Sequence, residues 1–544
     1  MLEFSKEKGI KKSIYAYSTL LILPLLGSIY IISRLLYLDA DIPWWDISYY
    51  CQIDELYYTT YAFQLFQGID HRLVNYISGD YINGTNLIEQ LFTYISLVFL
   101  GNNYYGLRMP SVFLGAFSLI TLYLIFKKRF GVYIAFFSGF IFIACSGFLL
   151  ATRIAEPSIF KIGFMFLVLY LLNGRKEHQK YSLFLDLGIG FVVGFSVFFV
   201  YPTNFFIIPS AIAVYLFSPR SLKQGVFNKN NVMLISGIVL SLISYIIFLY
   251  LFIEMDFDFY SILTPRLYNP KKVHFLLHSY HTIISILEDS SFFKNSYFKI
   301  LFEVAIVFCI LKIIVNSLWL GVFAFKKDNP KKVLRNYLIL KSSDSKFQTD
   351  IIMFMFFSFL VGQTLFLNDY PQRKLIILFP FVLYISAYFI YSVKDKLNKY
   401  FPKLQFLFTC VTSIMLSFII ILDIKISYNI VYKAPTFDYK TAMESLNKKD
   451  LDLVVGGWSF GFRLYNNFHT AINKCSYWYQ KRSEYYSLIN SLSKQFVNVK
   501  VIEYMNDEIK NDLYRIGFTP EKVILKSTDK SYPDVAIYRQ IGTD

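Results

Sequence analysis

The chain has 544 residues, 55% of them hydrophobic, with a mean hydropathy of +0.44 and a formal net charge of +16 at pH 7. That balance excludes an ordinary soluble multidomain protein, which over this length would carry far more charged surface. It also argues against a nucleic-acid partner, because the basic residues fall in short clusters between apolar runs, where they set topology and meet anionic headgroups.

Apolar runs of roughly 16–25 residues recur from end to end, a length that crosses a bilayer core. The first, Ile14 to Leu38, is too long for a signal-peptide core and lacks a small-residue cleavage site, so a retained span is expected. Further spans are predicted at about Met109–Phe126, Val132–Leu150, Ser158–Asn173, Ser182–Val200, Asn204–Phe217, Val232–Ile253, Lys299–Phe325, Ile351–Leu367, Leu375–Tyr391 and Phe406–Ile424. The segment Leu87–Leu100, LIEQLFTYISLVFL, stands apart because it is short and carries Glu89 and Gln90. If it does not span, the clusters KKRF (127–130), GRKEHQK (174–180), PRSLKQ (219–224), the lysine-rich 326–346 and KDKLNKYFPK (394–403) share the side of the basic N-terminus. If it spans, all of them move outside, so the positive-inside rule makes it an in-plane juxtamembrane helix.

The predicted fold class is therefore an α-helical polytopic membrane protein of about eleven spans over residues 1–424, with a cytoplasmic N-terminus. Loops 39–107 and 254–298 face outward, as does everything after about Lys425. Over 425–544 the pattern changes to short alternating runs such as LDLVVGG and DVAIYRQI, which read as a small extracytoplasmic α/β or α+β domain. The five cysteines show no metal spacing. Cys145, Cys309 and Cys410 lie inside apolar runs, and the sequence does not say whether Cys51 and Cys475, both on the outer side, pair.

The chemistry available outside begins at CQIDELYYTTYAFQLFQGID (51–70), with adjacent Asp54 and Glu55 against an aromatic wall. If a helix starts here, Asp54 is an acceptable N-cap and Glu55 a favourable first-turn acid, with Tyr58, Tyr61, Leu65 and Phe66 lying on the membrane surface. Alternatively, a carboxylate beside lipid and aromatics has a raised pKa and suits a general base. Opposite charge is present too: Arg153 with Glu156 in ATRIAEPSIF, and Arg373 with Lys374 in NDYPQRKLIILFP, each at an outer span end. These either snorkel to headgroups or clamp a phosphate at membrane level. His274, His278 and His281 in HFLLHSYH share one helical face. They suit sugar hydroxyls, headgroups or water, and the spacing also admits a divalent metal. No P-loop, dinucleotide fingerprint or serine nucleophile elbow stands out, so neither ATP-driven nor serine-hydrolase chemistry has support.

Taken in order, these residues resemble a known group. An N-in first span, an Asp-Glu pair opening an amphipathic stretch that ends QLFQGID, a helix ending FLG, and then GLRMPSVFLGAFSLITLYLIFKKRFG look like the GT-C superfamily of membrane glycosyltransferases. The resemblance is closest to the branch of protein O-mannosyltransferases and the lipid A aminoarabinose transferase. RIAEPSIF is similar to that branch's next outer turn, and YPQRKLIILFP to its late arginine-plus-proline segment. The resemblance implies transfer of a sugar from a polyprenyl-phosphate donor to a lipid, glycan or protein acceptor on the outer face. It implies Asp54 as general base with Glu55 beside it, Glu156 organising donor or acceptor, and Arg153, Arg373 and Lys374 as candidates for the lipid phosphate. The chain departs from the pattern at INGTNLIEQ (82–90), where members carry a Lys-Pro or His-Pro-Pro element. The competing reading is a transporter, flippase or polymerase of lipid-linked glycans. A transporter predicts repeated halves and mid-span charges; no repeat is visible, and Lys161, Asp186, Glu303 and Lys312 are the clear mid-span charges.

Overall fold

The computed structural model describes residues 21–39, 87–101, 103–155, 158–175, 182–200, 207–248, 298–325, 379–432, 453–455, 469–472, 499–505, 507–525 and 534–541. It also describes Ala62, Phe66, Ile351 and several positions between 486 and 494. The predicted span Ile351–Leu367 and loop 254–298 lie almost wholly outside the described residues, as do Cys51 and Cys475.

The helices in chain order are α1 (Leu21–Leu35), α2 (Leu87–Leu100), α3 (Tyr104–Phe130), α4 (Val132–Ala144), α5 (Ser146–Ala151), α6 (Ser158–Gly174) and α7 (Ser182–Phe195). They continue with α8 (Ile207–Leu216), α9 (Pro219–Gln224), α10 (Lys229–Phe248), α11 (Phe298–Phe325), α12 (Phe379–Tyr400) and α13 (Pro402–Ser427). Among the described residues four helices are long and apolar enough to cross a membrane by length and composition: Tyr104–Phe130, Ser182–Val200, Lys229–Phe248 and Pro402–Ser427. The apolar span predicted over Val132–Leu150 is broken, because Cys145 is extended between α4 and α5. The Ser427 hydroxyl donates to the Ala144 carbonyl that this break exposes, at 2.8 Å. An unpaired carbonyl in an apolar layer is costly, so the bond stabilises the interruption.

The chain divides into two compact units, one of Met1–Ser33, Leu114–Leu150 and Ser158–Ser427, the other of Arg34–Phe113, Ala151–Pro157 and Tyr428–Asp544. In the first unit the tightest helix crossing is α7 on α10. A Cβ at Gly190 would stand 2.0 Å from the Leu234 carbonyl oxygen, and one at Gly237 would stand 2.1 Å from that of Leu187. Without side chains at these two positions the backbones approach closely, the usual route to tight packing where lipid offers no hydrophobic drive. The same helices hold Asp186, fully buried on α7. Its carboxylate accepts from Arg175 Nε at 2.8 Å, from the Tyr215 hydroxyl at 2.6 Å and from Asn230 Nδ2. Arg175 also lies over the Tyr215 ring, 3.9 Å from its centroid.

In the second unit the residues after α13 build a mixed sheet in the order β2-β1-β3-β5-β4. The strands are β1 (Leu453–Val455), β2 (His469–Ile472), β3 (Val499–Met505), β4 (Phe518–Leu525) and β5 (Asp534–Gln540). Strand β1 runs parallel to both neighbours, while β5 is antiparallel to β3 and β4. Helix α14 (Asp507–Arg515) turns its buried Ile509 and Leu513, one turn apart, to Val499, Val501, Ala536 and Tyr538. These strand positions alternate, so one face of the sheet is apolar and covered.

Candidate functional site

The second unit brings together the end of α1, α2, the first turns of α3 and the turn after α5. Helix α1 ends sharply. Tyr37 has φ 53, in the left-handed region that residues with a Cβ seldom occupy, and Leu38 N–H closes on the Leu35 carbonyl at 3.2 Å. A left-handed residue is the ordinary way to stop a helix, but Gly or Asn is the usual choice because a bulky side chain raises the energy there. Helix ends also leave carbonyls without helical partners.

Two arginines take those carbonyls. Arg153 donates from Nη1 to the Arg34 and Leu36 oxygens at 3.1 and 2.6 Å, and from Nη2 to the Tyr37 oxygen at 2.6 Å. Arg108 donates from Nη1 to the Leu38 oxygen at 2.6 Å and stacks over Tyr104. A cation at a helix C-terminus also meets the negative end of the helix dipole. Arg34 is itself fully buried and donates from Nε to the Thr152 hydroxyl at 2.8 Å. Burial lowers the Arg153 guanidinium to about 10; Tyr432 opposes the shift, and the like charges of Arg108 and Arg34 add to it. It stays cationic at neutral pH, one of three buried arginines gathered at this end of the unit.

Helix α2 supplies the other wall. Its buried side carries Glu89, Gln90, Thr93 and Leu97, while Leu91, Phe92, Ile95, Val98, Phe99 and Leu100 are exposed. An exposed apolar face and a buried polar one invert the pattern of a soluble helix and suit a helix that rests in lipid. Gln90 Oε1 accepts from the Ala62 N–H at 3.0 Å, tying α2 to residue 62. The reversal from α2 into α3 is tight. Gly101 has φ 86, the Asn103 side chain accepts from Gly106 N–H at 3.0 Å, and a Cβ on Gly106 would meet the Gly101 oxygen at 2.3 Å.

Of the residues singled out from sequence, Arg153 is described, and its guanidinium donates to the backbone carbonyls of Arg34, Leu36 and Tyr37. Asp54, Glu55, Tyr58, Glu156, His274, His278, Arg373 and Lys374 lie outside the described residues. Among the described residues no group of three or more His, Cys, Asp or Glu could hold a metal ion. Sequence reasoning missed Arg34, Arg108 and Gln90 as site-building residues. Arg108 was in view within GLRMPSV, but nothing in that string says that its partner is a carbonyl seventy residues earlier.

With this geometry in place, residues 84–249 match the family described as dolichyl-phosphate-mannose-protein mannosyltransferase. No curated protein is similar enough in sequence to match. The fold is similar to that of ArnT from Cupriavidus metallidurans solved with undecaprenyl phosphate bound, at TM-score 0.53 and 10% identity, over 95% of this chain and 97% of that one. It is also similar to the archaeal oligosaccharyltransferase AglB from Archaeoglobus fulgidus in complex with an inhibitory peptide and a dolichol-phosphate. That likeness has TM-score 0.52 and 12% identity, over 92% of this chain and 71% of that one. The chain shares the fold of these two proteins.

Proposed function

We propose that this GT-C protein is an inverting glycosyltransferase that moves a sugar from a polyprenyl-phosphate donor to a lipid, glycan or protein acceptor at the outer face of the cell membrane. The observation that supports this most directly is the buried group of Arg34, Arg108 and Arg153 beside the outer loop, in a fold whose solved members include complexes with undecaprenyl phosphate and dolichol-phosphate. A phosphate held at membrane level is the leaving group such a donor requires, and preorganised cations stabilise it as charge develops.

In this reading Asp54 takes the proton of the acceptor hydroxyl, and the oxygen attacks the anomeric carbon from the face opposite the phosphate. The bond from carbon to phosphate oxygen breaks, both electrons leave with the lipid phosphate, and configuration inverts in one displacement. Glu55 and Glu156 orient the sugar hydroxyls, and Tyr58 offers a stacking face that keeps water from the donor. Arg373 and Lys374 approach the departing phosphate, with Arg153 adding positive potential from its place against the α1 carbonyls. His274 and His278 serve the sugar or the headgroup from loop 254–298.

The test is to incubate purified protein with a panel of polyprenyl-phosphate sugars and candidate acceptors, and follow loss of the donor sugar by mass spectrometry. Acceptor-dependent loss that Asp54→Asn abolishes is the expected result. Movement of intact donor across reconstituted vesicles, with no sugar lost, overturns the reading in favour of a flippase.

A further inference from the structure

We infer that the turn between α9 and α10 is a preformed lipid anchor. Val226 and Phe227 enter the interface of a bilayer, while Lys223 and Lys229 meet anionic phospholipid headgroups. The inference concerns a part of the chain that the transfer reaction does not use, and it stands whether or not sugar is moved. Phe227 is 90% exposed, more than any other large apolar side chain among the described residues, and its neighbour Val226 is 58% exposed. Lys223, Gln224 and Lys229 around them are exposed as well.

An apolar tip in water is driven to fold back onto its own protein. Here the backbone holds it out. The Ser218 hydroxyl caps α9 by accepting from the Ser221 N–H at 3.3 Å. Gly225 ends that helix at φ 95, with its N–H on the Ser221 carbonyl at 2.8 Å. Buried Asn228 then caps α10, its Oδ1 accepting from the N–H groups of Asn230 and Asn231 at 3.1 Å each. Asn228 Nδ2 donates to the Gly225 carbonyl and Asn231 Nδ2 to the Val226 carbonyl, both at 2.8 Å. The Ser221 hydroxyl donates to the Tyr215 carbonyl at 2.6 Å, which ties the turn to α8. The two carbonyls leading into Phe227 are thus both held by buried side chains, so the path of the chain is set and the ring stays outside.

Place and charge identify the occupant. Helix α10 is long and apolar enough to cross a membrane, and it begins at Lys229. Two residues of chain reach at most about 7 Å, so Phe227 stands at the end of a span. That is the layer in which aromatic rings settle between headgroups and acyl chains. No Asp or Glu occurs in the sequence between Asp186 and Glu254. The turn's own formal charges are therefore all positive, the complement of a phosphate-bearing surface.

The experiment reconstitutes the full chain carrying Phe227→Trp in vesicles of equal parts phosphatidylcholine and phosphatidylglycerol. Bromine is placed on the acyl chains of one lipid or the other, and the tryptophan emission added over wild type is read. The expected result is blue-shifted emission that both brominated lipids quench, about twofold or more strongly with bromine on phosphatidylglycerol, as local enrichment by the lysines requires. Adding Lys223→Gln and Lys229→Gln should remove that preference and leave quenching by brominated phosphatidylcholine in place. Added emission at the wavelength of water-exposed tryptophan, quenched by neither lipid, overturns the anchor and leaves the apolar pair to a protein partner. Equal quenching by the two lipids overturns the anionic headgroup as its partner.

Discussion

Two buried arginines in this chain solve the same problem in opposite ways. Arg175, in the first unit, meets the carboxylate of Asp186, whose remaining acceptor positions go to Tyr215 and Asn230. Arg153, in the second, spends its described hydrogen bonds on carbonyls at a helix end and has two other guanidiniums as electrostatic neighbours. The first arrangement cancels charge and locks helices together. The second places guanidinium donors on the polar backbone of a helix end, another way to hold a buried cation. The contrast also bears on the transporter reading: Asp186, a mid-span charge that could have coupled an ion, is fully engaged in a closed network, which describes a staple.

The largest effect expected from this contrast is on stability. Asp186→Ala leaves a buried guanidinium without its carboxylate and should cost about 3–5 kcal/mol, read as a lowered midpoint in thermal unfolding in detergent. Removing Arg175 as well should recover part of that loss, since the two share one interaction. A midpoint unchanged in Asp186→Ala breaks the contrast at once.

Catalysis sharpens it from the other side. Asp54→Asn should leave the thermal midpoint in place and lower turnover by about 10² or more. Arg373→Ala should lower turnover more than it weakens donor binding, with Arg373→Lys between it and wild type, because a point charge keeps the attraction and loses the two-pronged grip. Normal transfer by Asp54→Asn removes the acid from the mechanism.

Packing along the same helix pair gives a smaller effect. Gly190 and Gly237 lie close to the Asp186 network on α7 and α10, and a methyl at either position would collide with facing backbone. Gly190→Ala should cost about 1–3 kcal/mol through forced separation of the helices, with the donor affinity untouched. Smallest is the aromatic neighbour. The Tyr432 ring centroid lies 5.8 Å from the Arg153 guanidinium carbon, whereas that of Tyr215 lies 3.9 Å from the Arg175 one, but the Tyr432 side chain also hydrogen-bonds Arg153. Tyr432→Leu removes both and should cost about 1 kcal/mol, and an unchanged midpoint would mean that Tyr432 does not hold Arg153 in place.

Much of the helical layout was legible in the sequence because a bilayer demands long apolar runs and satisfies backbone only in helices. The predicted span Ser182–Val200 and the helix Lys299–Phe325 fall almost residue for residue on what the structure shows. Leu87–Leu100 forms one helix with those bounds and an exposed apolar face. The runs LDLVVGG and DVAIYRQI fall on β1 and β5. Periodicity did not reveal the break at Cys145, since the run from 132 to 150 is mostly apolar and the Ser427 hydroxyl that takes the Ala144 carbonyl comes from another helix.

The sequence by itself determined that this is a membrane protein and where most of its helices run, because hydropathy and charge are summed locally. It also carried the resemblance from which the GT-C fold was anticipated. Only the tertiary structure decided which carbonyls the described arginines reach. A guanidinium at a span end reads the same whether it snorkels, binds phosphate or caps a helix. The choice depends on carbonyls brought to it from 117, 119 and 70 positions away. Such contacts are set by how helices cross, and no window along the chain contains them.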